Sequence, residues 1–291
     1  MLSLLPNRST ASKIFLTKIR FVTTLIKSSV KFTTIGTLLI RYIDNNQGGS
    51  PVLLIHGLGG SSESWANNIE SFSTRYRVIA LDLPGFGLSD KPRIDYTIDF
   101  YVNFLKQFIK KLKITRPFLI GSSLGGHIVV ELAIRNPKLV DKMVLISPAG
   151  SLPKSFKGTS ALKRYIKIVS AKSALEVREI LSSIDNSMIN HTYAEALYKR
   201  ISLPGAKYAF ISALKGSAKA ARYNSKLEKI NTKVLLIWGK NDRIIPVKFV
   251  RPFLEHGDSR IIIFENCGHR PHVENPKLFN KAVKDFLVEY N

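Results

Sequence analysis

Residues 118–135 read FLIGSSLGGHIVVELAIR. The apolar run 118–120 has the character of a strand buried on both faces, and 126–135 repeats apolar side chains at helical spacing. Between them stands Gly121-Ser122-Ser123-Leu124-Gly125, a G-x-S-x-G element in a strand-to-helix turn. In such a turn the apex residue takes a strained backbone conformation that only small neighbours tolerate, and its side chain is pushed out above the sheet. Gly121 and Gly125 supply that room, so Ser123 is expected to be a nucleophile. Gly and Ser are common in turns of every kind, so the reading depends on a base, an acid and an oxyanion site elsewhere in the chain.

Outward from this element the chain alternates between two periodicities. Short, β-branched runs at 52–56, 78–81, 143–146, 234–238 and 261–264 read as strands, and 64–72, 98–112, 247–255 and 276–289 carry helical periodicity. Asn275 followed by Pro276 is a cap and first turn for the last helix. Ahead of these, 31–34 and 37–43 flank Gly36 as a hairpin, and 45–50 is a polar turn. Alternating strand and helix implies an α/β fold with a mostly parallel central sheet and right-handed crossovers. Residues 148–231 break the alternation with helical patterns at 161–170, 174–184, 192–200 and 206–221. The expected division is a core of 31–147 and 232–291, a helical cap of 148–231 above the strand carboxyl ends, and an extension of 1–30.

A serine hydroxyl needs a base within hydrogen-bond reach, normally an imidazole held in the right tautomer by a carboxylate. Of six histidines the best placed is His269, in the loop after the last expected strand. The acid candidate is Asp242, directly after the preceding strand; residues 147–150, after the strand before that, contain no carboxylate. The oxyanion donors are expected to be the backbone amides of Leu58, in His56-Gly57-Leu58-Gly59-Gly60, and of Leu124. Removing one such donor typically costs about 3 kcal/mol. His56 is read as bracing its loop, Asp82 as stabilising the following one, His272 as part of a structural loop, and Cys267 as a packed small side chain. The glycine-rich loop lacks the Walker lysine and the dinucleotide spacing, so no phosphate cradle is expected.

Composition sets outer limits. The 291 residues, 45% apolar and 22% charged, describe an ordinary globular protein, with no apolar stretch near the ~18 residues of a spanning helix. The single Cys267 rules out an internal disulfide and any zinc site built from several cysteines; no metal or cofactor site is expected. The formal charge of +23 admits polyanionic partners, but the lysines are dispersed and no nucleic-acid-binding signature accompanies them, so no specific nucleic-acid partner is expected. Residues 1–43 contain no acid, while Arg8, Lys13, Lys18, Arg20, Lys27, Lys31 and Arg41 are basic. Phe15, Ile19, Val22 and Ile26 form a helical stripe with most of the nearby cations off it. Three readings stay open for this segment: contact with an anionic membrane surface, an organelle transit peptide, or packing on the domain. The expected location is cytoplasmic, with peripheral membrane association through residues 1–30 as an option.

The stretches HGLGGSSESW (56–65), ALDLPGFGLSDKP (80–92), GSSLGGHIVVELA (121–133), WGKNDRIIP (238–246) and GHRPHVENP (268–276) resemble the α/β-hydrolase superfamily, in its lidded serine esterase and carbon-carbon hydrolase-like branch. The resemblance covers nearly all of the chain after about residue 30. It implies an α/β-hydrolase fold with an inserted helical cap, a cofactor-independent hydrolase, and a triad of Ser123, Asp242 and His269 in that order. Serine at the elbow argues against the epoxide-hydrolase and haloalkane-dehalogenase branches, which carry Asp there. Carbon-carbon hydrolases usually have Asn before the elbow serine and Trp after the base; here Ser122 and Arg270 stand in those places. The leading expectation is therefore hydrolysis of a small, apolar carboxylic ester through an acyl-enzyme. The alternatives are carbon-carbon hydrolysis of dienoate diketones, or a membrane-associated ligand-binding protein that keeps the triad and turns over slowly.

Overall fold

A computed structural model describes residues 29–150, 158–184, 191–220, 222, 224–254 and 259–289. The amphipathic stretch around Phe15 to Ile26 lies outside the described residues. Eight strands form one sheet: β1 (Ser29–Ile35), β2 (Leu38–Asp44), β3 (Pro51–Ile55), β4 (Arg77–Leu81), β5 (Phe118–Ser122), β6 (Lys142–Ile146), β7 (Lys233–Gly239) and β8 (Ser259–Phe264). Their order across the sheet is β1-β2-β4-β3-β5-β6-β7-β8. The first two form the expected antiparallel hairpin, turning at Gly36 with φ 58°, and β2 pairs antiparallel with β4. All later pairings are parallel.

Why these runs are strands is visible in their packing. Alternate residues point to opposite faces, so Leu53, Ile55, Leu119, Met143 and Leu145 join one apolar cluster while Val52, Leu54, Phe118, Ile120 and Val144 join the other. Both faces are therefore covered. Helices α2 (Ile98–Lys111) and α3 (Leu124–Arg135) pack on the first face, and α1 (Ala66–Ser73) packs on the second. Thr97 caps α2 by accepting from the Phe100 amide at 3.1 Å, and the cations Lys110 and Lys111 occupy its last turn, where the helix dipole favours them.

After β3 the chain steps to one side to form β4, then crosses back to form β5 on the other side of β3. This reversal leaves a crevice outside the carboxyl ends of β3 and β5, the usual ligand position in such sheets. The loop after β3 and the turn after β5 therefore arrive side by side.

Between β6 and β7 the described residues form α4 (Ser160–Ile166), α5 (Ala174–Ser182), α6 (His191–Ile201) and α7 (Ala206–Lys219), and no strand. Ser173 opens α5 by accepting from Glu176 N at 3.1 Å. Three contacts tie these helices to the core loops. Tyr165 Oη donates to Leu58 O at 2.9 Å, Tyr96 N donates to Ser212 Oγ at 3.0 Å, and a Cβ on Gly59 (φ 73°) would lie 3.0 Å from Phe210.

Two local expectations change. The helix expected over 247–255 is a 3-10 turn, Val247–Val250, followed by a short α8 (Arg251–Leu254), because Pro252 has no amide to continue the hydrogen-bond ladder. The loop expected around His272 is instead a helical turn, α9 (Pro271–Glu274), which runs into α10 (Pro276–Glu289) on the second face. Asn275 Oδ1 accepts from Leu278 N at 3.2 Å, as the Asn-Pro pair suggested. The hairpin also absorbs two cations counted with the basic amino-terminal segment. Lys31 pairs with Asp44 at 3.0 Å, and Arg41, 1% exposed, is buried against Asp82 and Ser62.

Candidate active site

Ser123 stands at the apex between β5 and α3 with φ 53° and ψ −112°, a region that costs a residue with a side chain on the order of 1–3 kcal/mol. The surroundings hold it there. Its amide donates to Ile146 O at 2.9 Å, and its carbonyl accepts from His127 N and Ala149 N at 3.0 Å. The flanking glycines leave no alternative: a Cβ on Gly121 would lie 2.6 Å from Gly125 O, and one on Gly125 would meet the Ile55 carbonyl. From the neighbouring strand, Gly57 approaches so closely that a Cβ there would be 3.1 Å from the Ser123 Cβ. The reversal of strand order thus sets the loop after β3 directly against the serine.

Asp242 and His269 meet as the sequence suggested. The Asp242 side chain is fully buried, and its Oδ1 accepts from the amides of Ile244 (2.9 Å) and Ile245 (2.8 Å). Its Oδ2 is thereby aimed at His269 Nδ1, 2.8 Å away. A carboxylate can only accept, so Nδ1 carries the proton and Nε2 is left as the basic nitrogen. The two loops are drawn together by backbone contact: Asn241 N donates to Cys267 O at 3.0 Å, and Gly239 has no room for a Cβ beside the Gly268 carbonyl. His269 keeps 15% of its side chain accessible.

Glu274 lies in the stretch around His272 that sequence reasoning read as a structural loop. Its carboxylate accepts from Gly268 N and from Arg270 N, the latter at 2.8 Å, so it clamps the backbone on both sides of His269. The signal was present in the spacing. Arg270 and Glu274 are one helical turn apart, which brings a carboxylate back to the amide that opens α9.

The loop after β3 is braced as expected. His56 Nδ1 lies 2.7 Å from Gly57 O and its Nε2 accepts from Leu83 N at 3.0 Å, so both nitrogens are engaged by backbone. Burial pushes its pKa down and keeps the ring neutral. Asp82 accepts from Ser62 N at 2.7 Å and Leu88 N at 2.8 Å. Burial opposes its ionisation, but Arg41 and those amides outweigh it and hold the carboxyl below the usual range. Leu58 lines the cavity beside Ser123. Leu124 is the first residue of α3, where backbone N–H groups have no intrahelical acceptor. Cys267 is buried, and His272, 2% exposed, stacks on Trp65 with ring centroids 4.4 Å apart. Burial and then the charge of Arg270 push the His272 pKa well down.

Ser123 and His269 open onto one cavity of about 110 Å³. The helices between β6 and β7 supply Leu162, Tyr165, Leu181 and Tyr193 to its wall, and Arg243 and Arg270 also reach it. An apolar cavity of ~150 Å³ holds benzene, so the enclosed part of this smaller one suits a short acyl group. Among the described residues no cluster of three or more His, Cys, Asp or Glu could hold a metal ion, and no helix is long and apolar enough to cross a membrane.

Residues 50–276 match the family model described as alpha/beta hydrolase fold. Over 269 residues the chain is 29% identical to the 2-hydroxy-6-oxo-6-(2'-aminophenyl)hexa-2,4-dienoic acid hydrolase of Metapseudomonas resinovorans, covering 88% of this chain and 90% of that protein. Among solved structures it is similar to the meta-cleavage product hydrolase of Pseudomonas fluorescens IP01, with TM-score 0.81, 28% identity, and 90% and 98% of the two chains covered. It is also similar to a bacterial membrane phospholipase A, with TM-score 0.80, 26% identity, and 95% and 91% covered.

Proposed function

The chain belongs to the α/β-hydrolase fold family and is a hydrolase, and from that premise we propose that it cleaves a carboxylic ester through an acyl-enzyme on Ser123. The observation that carries this reading is the 2.8 Å contact of His269 Nδ1 with a buried Asp242, in a cavity that also holds Ser123. As His269 Nε2 takes the proton, Ser123 Oγ attacks the carbonyl carbon. The imidazolium that forms is stabilised by Asp242, whose other oxygen is already committed to the amides of Ile244 and Ile245. The developing oxyanion is received by the amides of Leu58 and Leu124. Collapse expels the alcohol with the proton from His269, and water then attacks the acyl-enzyme by the same steps in reverse.

In this reading residues 148–231 act as a cap over a core of 31–147 and 232–291, and the cap's apolar side chains select a small acyl substrate. The basic segment 1–30 is assigned to peripheral contact with an anionic membrane surface of a cytoplasmic protein. Deletion of residues 1–30 should then abolish binding to anionic vesicles. The ester reading is tested with short p-nitrophenyl esters: Ser123→Ala should remove turnover, and retained turnover would overturn it.

A second reading has its own support in the relatives. A dienoic acid hydrolase and a meta-cleavage product hydrolase match most of the chain, which favours carbon-carbon hydrolysis at the same serine. Ser122 and Arg270 depart from that pattern, and the likeness to a phospholipase favours the ester. Loss of the visible absorbance of a dienoate diketone, measured beside the ester panel, separates the two.

A further inference from the structure

Two guanidinium groups reach the proposed reactive cavity, from Arg243 in the loop after β7 and from Arg270 directly after His269. Among the described residues neither has an ion-pair partner. The one acid in the described wall is Glu274, and its carboxylate is turned to the amides of Gly268 and Arg270 rather than to a guanidinium. The wall therefore carries two guanidinium groups against one carboxylate, and neither guanidinium is ion-paired with it.

Arg270 is also pre-positioned. Its amide is clamped by Glu274, and its guanidinium lies over the Tyr193 ring, 4.3 Å from the centroid. Among the described residues no hydrogen bond engages its guanidinium N–H groups, which present a fork to a planar acceptor. Arg270 is half-buried while Arg243 is exposed, so a charge-assisted hydrogen bond counts for more at Arg270. The positive charge of Arg270 is felt at this end of the cavity, where, after burial, it contributes to keeping His272 neutral.

We propose that the substrate carries a carboxylate, bound by the Arg270 fork on Tyr193, with Arg243 adding charge at the rim. This rests on the reading of Ser123 and His269 as the reacting pair. The carboxylate belongs either to the acyl part or to the leaving alcohol, and two matched substrate pairs distinguish them. Mono-p-nitrophenyl glutarate against p-nitrophenyl pentanoate places the charge on the acyl part. 4-Acetoxybenzoate against 4-acetoxybenzamide places it on the leaving group.

With enzyme-free rates subtracted, the charged member of one pair should show kcat/KM on the order of ten-fold higher, the size of one charge-assisted hydrogen bond. Arg270→Gln should bring that ratio close to unity. Dependence on Arg270 is the deciding readout, because a net charge of +23 attracts any anion without a site. Should Arg270→Gln prove unfolded by circular dichroism, Arg270→Lys replaces it: it keeps the charge, loses the fork and should lower the ratio part of the way. A companion measurement needs no turnover: benzoate should raise the Tm of the wild-type protein and benzamide should not, and Arg270→Gln should abolish the difference. Parity in both substrate pairs, a ratio unchanged in Arg270→Gln and in Arg243→Gln, or equal effects of benzoate and benzamide would overturn the proposal. If no ester is cleaved yet benzoate still acts through Arg270, the anion site stands and the ester reading falls. If esters are cleaved at parity and benzoate has no effect, the ester reading stands and the anion site falls.

Discussion

Replacing Glu274 by Gln changes one atom of the clamp around His269. The glutamate offers two acceptor oxygens, and the two groups facing them, Gly268 N–H and Arg270 N–H, are both donors. A glutamine offers one oxygen and one NH₂. Whichever way the amide is turned, one backbone N–H keeps an acceptor and the other faces a donor. The surviving bond also loses its charge assistance, which about halves it. A hydrogen bond to a charged group contributes roughly 1.5–3 kcal/mol, and water reaching this half-buried turn recovers part of it. The expected loss of stability is therefore about 1–3 kcal/mol, read from urea denaturation. The effect on activity comes by a different route. The clamp fixes the backbone on either side of His269, and misplacing a catalytic group by about 1 Å can cost on the order of 100-fold. Glu274→Gln should lower kcat about ten- to hundred-fold, and should slow fluorophosphonate labelling of Ser123 in parallel while substrate KM changes little. A variant with wild-type stability and kcat within about two-fold of wild type would show that α9 holds the histidine loop without this carboxylate, and the reasoning would be wrong.

Three further outcomes follow from the same geometry. Asp242→Asn keeps an oxygen for the Ile244 and Ile245 amides but turns NH₂ toward His269 Nδ1, forcing the wrong tautomer; kcat on an ester should fall by about 10⁴ with Tm nearly unchanged. Ser123→Gly and Ser123→Ala should both be inactive, yet Gly relieves the positive φ and should be about 1 kcal/mol more stable than Ala by urea denaturation, after its greater unfolded-state entropy is subtracted. Gly less stable than Ala by about 0.4–1 kcal/mol, the entropy term alone, would mean that the elbow is not strained. His56, His127 (pushed down to about 3, chiefly by burial) and His272 all have folded pKa values below the unfolded value of about 6.5. The unfolded chain therefore binds protons first as pH falls, so stability is full above about pH 6.5 and declines below it, by up to ~1.4 kcal/mol per pH unit for each histidine. His127→Gln should flatten that decline by about one histidine's share between roughly pH 6 and 4, and an unchanged slope in urea titrations would contradict it.

The strands were legible because they lie in a sheet covered on both sides. A parallel strand with both faces buried must be apolar at every position, so 118–120, 143–146 and 234–238 stood out as uninterrupted runs. The order of Ser123, Asp242 and His269 was legible too, since each follows a strand end and strand ends share one edge of the sheet. What escaped depended on partners far away in the chain. Arg41 looked like one more cation of a basic segment; only the pairing of β2 with β4 brings Asp82 beside it and makes it a core residue. Glu274 escaped because the donors it satisfies are backbone amides, and its one-turn spacing from Arg270 marks a clamp only once 271–274 is known to be helical. The split of the helix at 247–255 follows from Pro252, a local signal in the sequence.

The strained elbow at Ser123 and the helices between β6 and β7 meet at the loop after β3. Gly57 must pass the Ser123 Cβ closely, and Leu58 next to it lines the same cavity; two residues on, Gly59 must turn with φ 73° beneath Phe210. The same Leu58 gives its carbonyl to Tyr165 Oη at 2.9 Å. One peptide segment is thus pinned from below by the elbow, from the side by His56 and Asp82, and from above by the inserted helices. In the proposed role of the Leu58 amide as an oxyanion donor, a donor is effective in proportion to how little it moves when the charge appears. The many contacts on so short a loop are the physical means of that rigidity. They also explain why its glycines are required by close approach at Gly57 and by backbone conformation at Gly59, two different reasons that the repeated letter in the sequence does not separate.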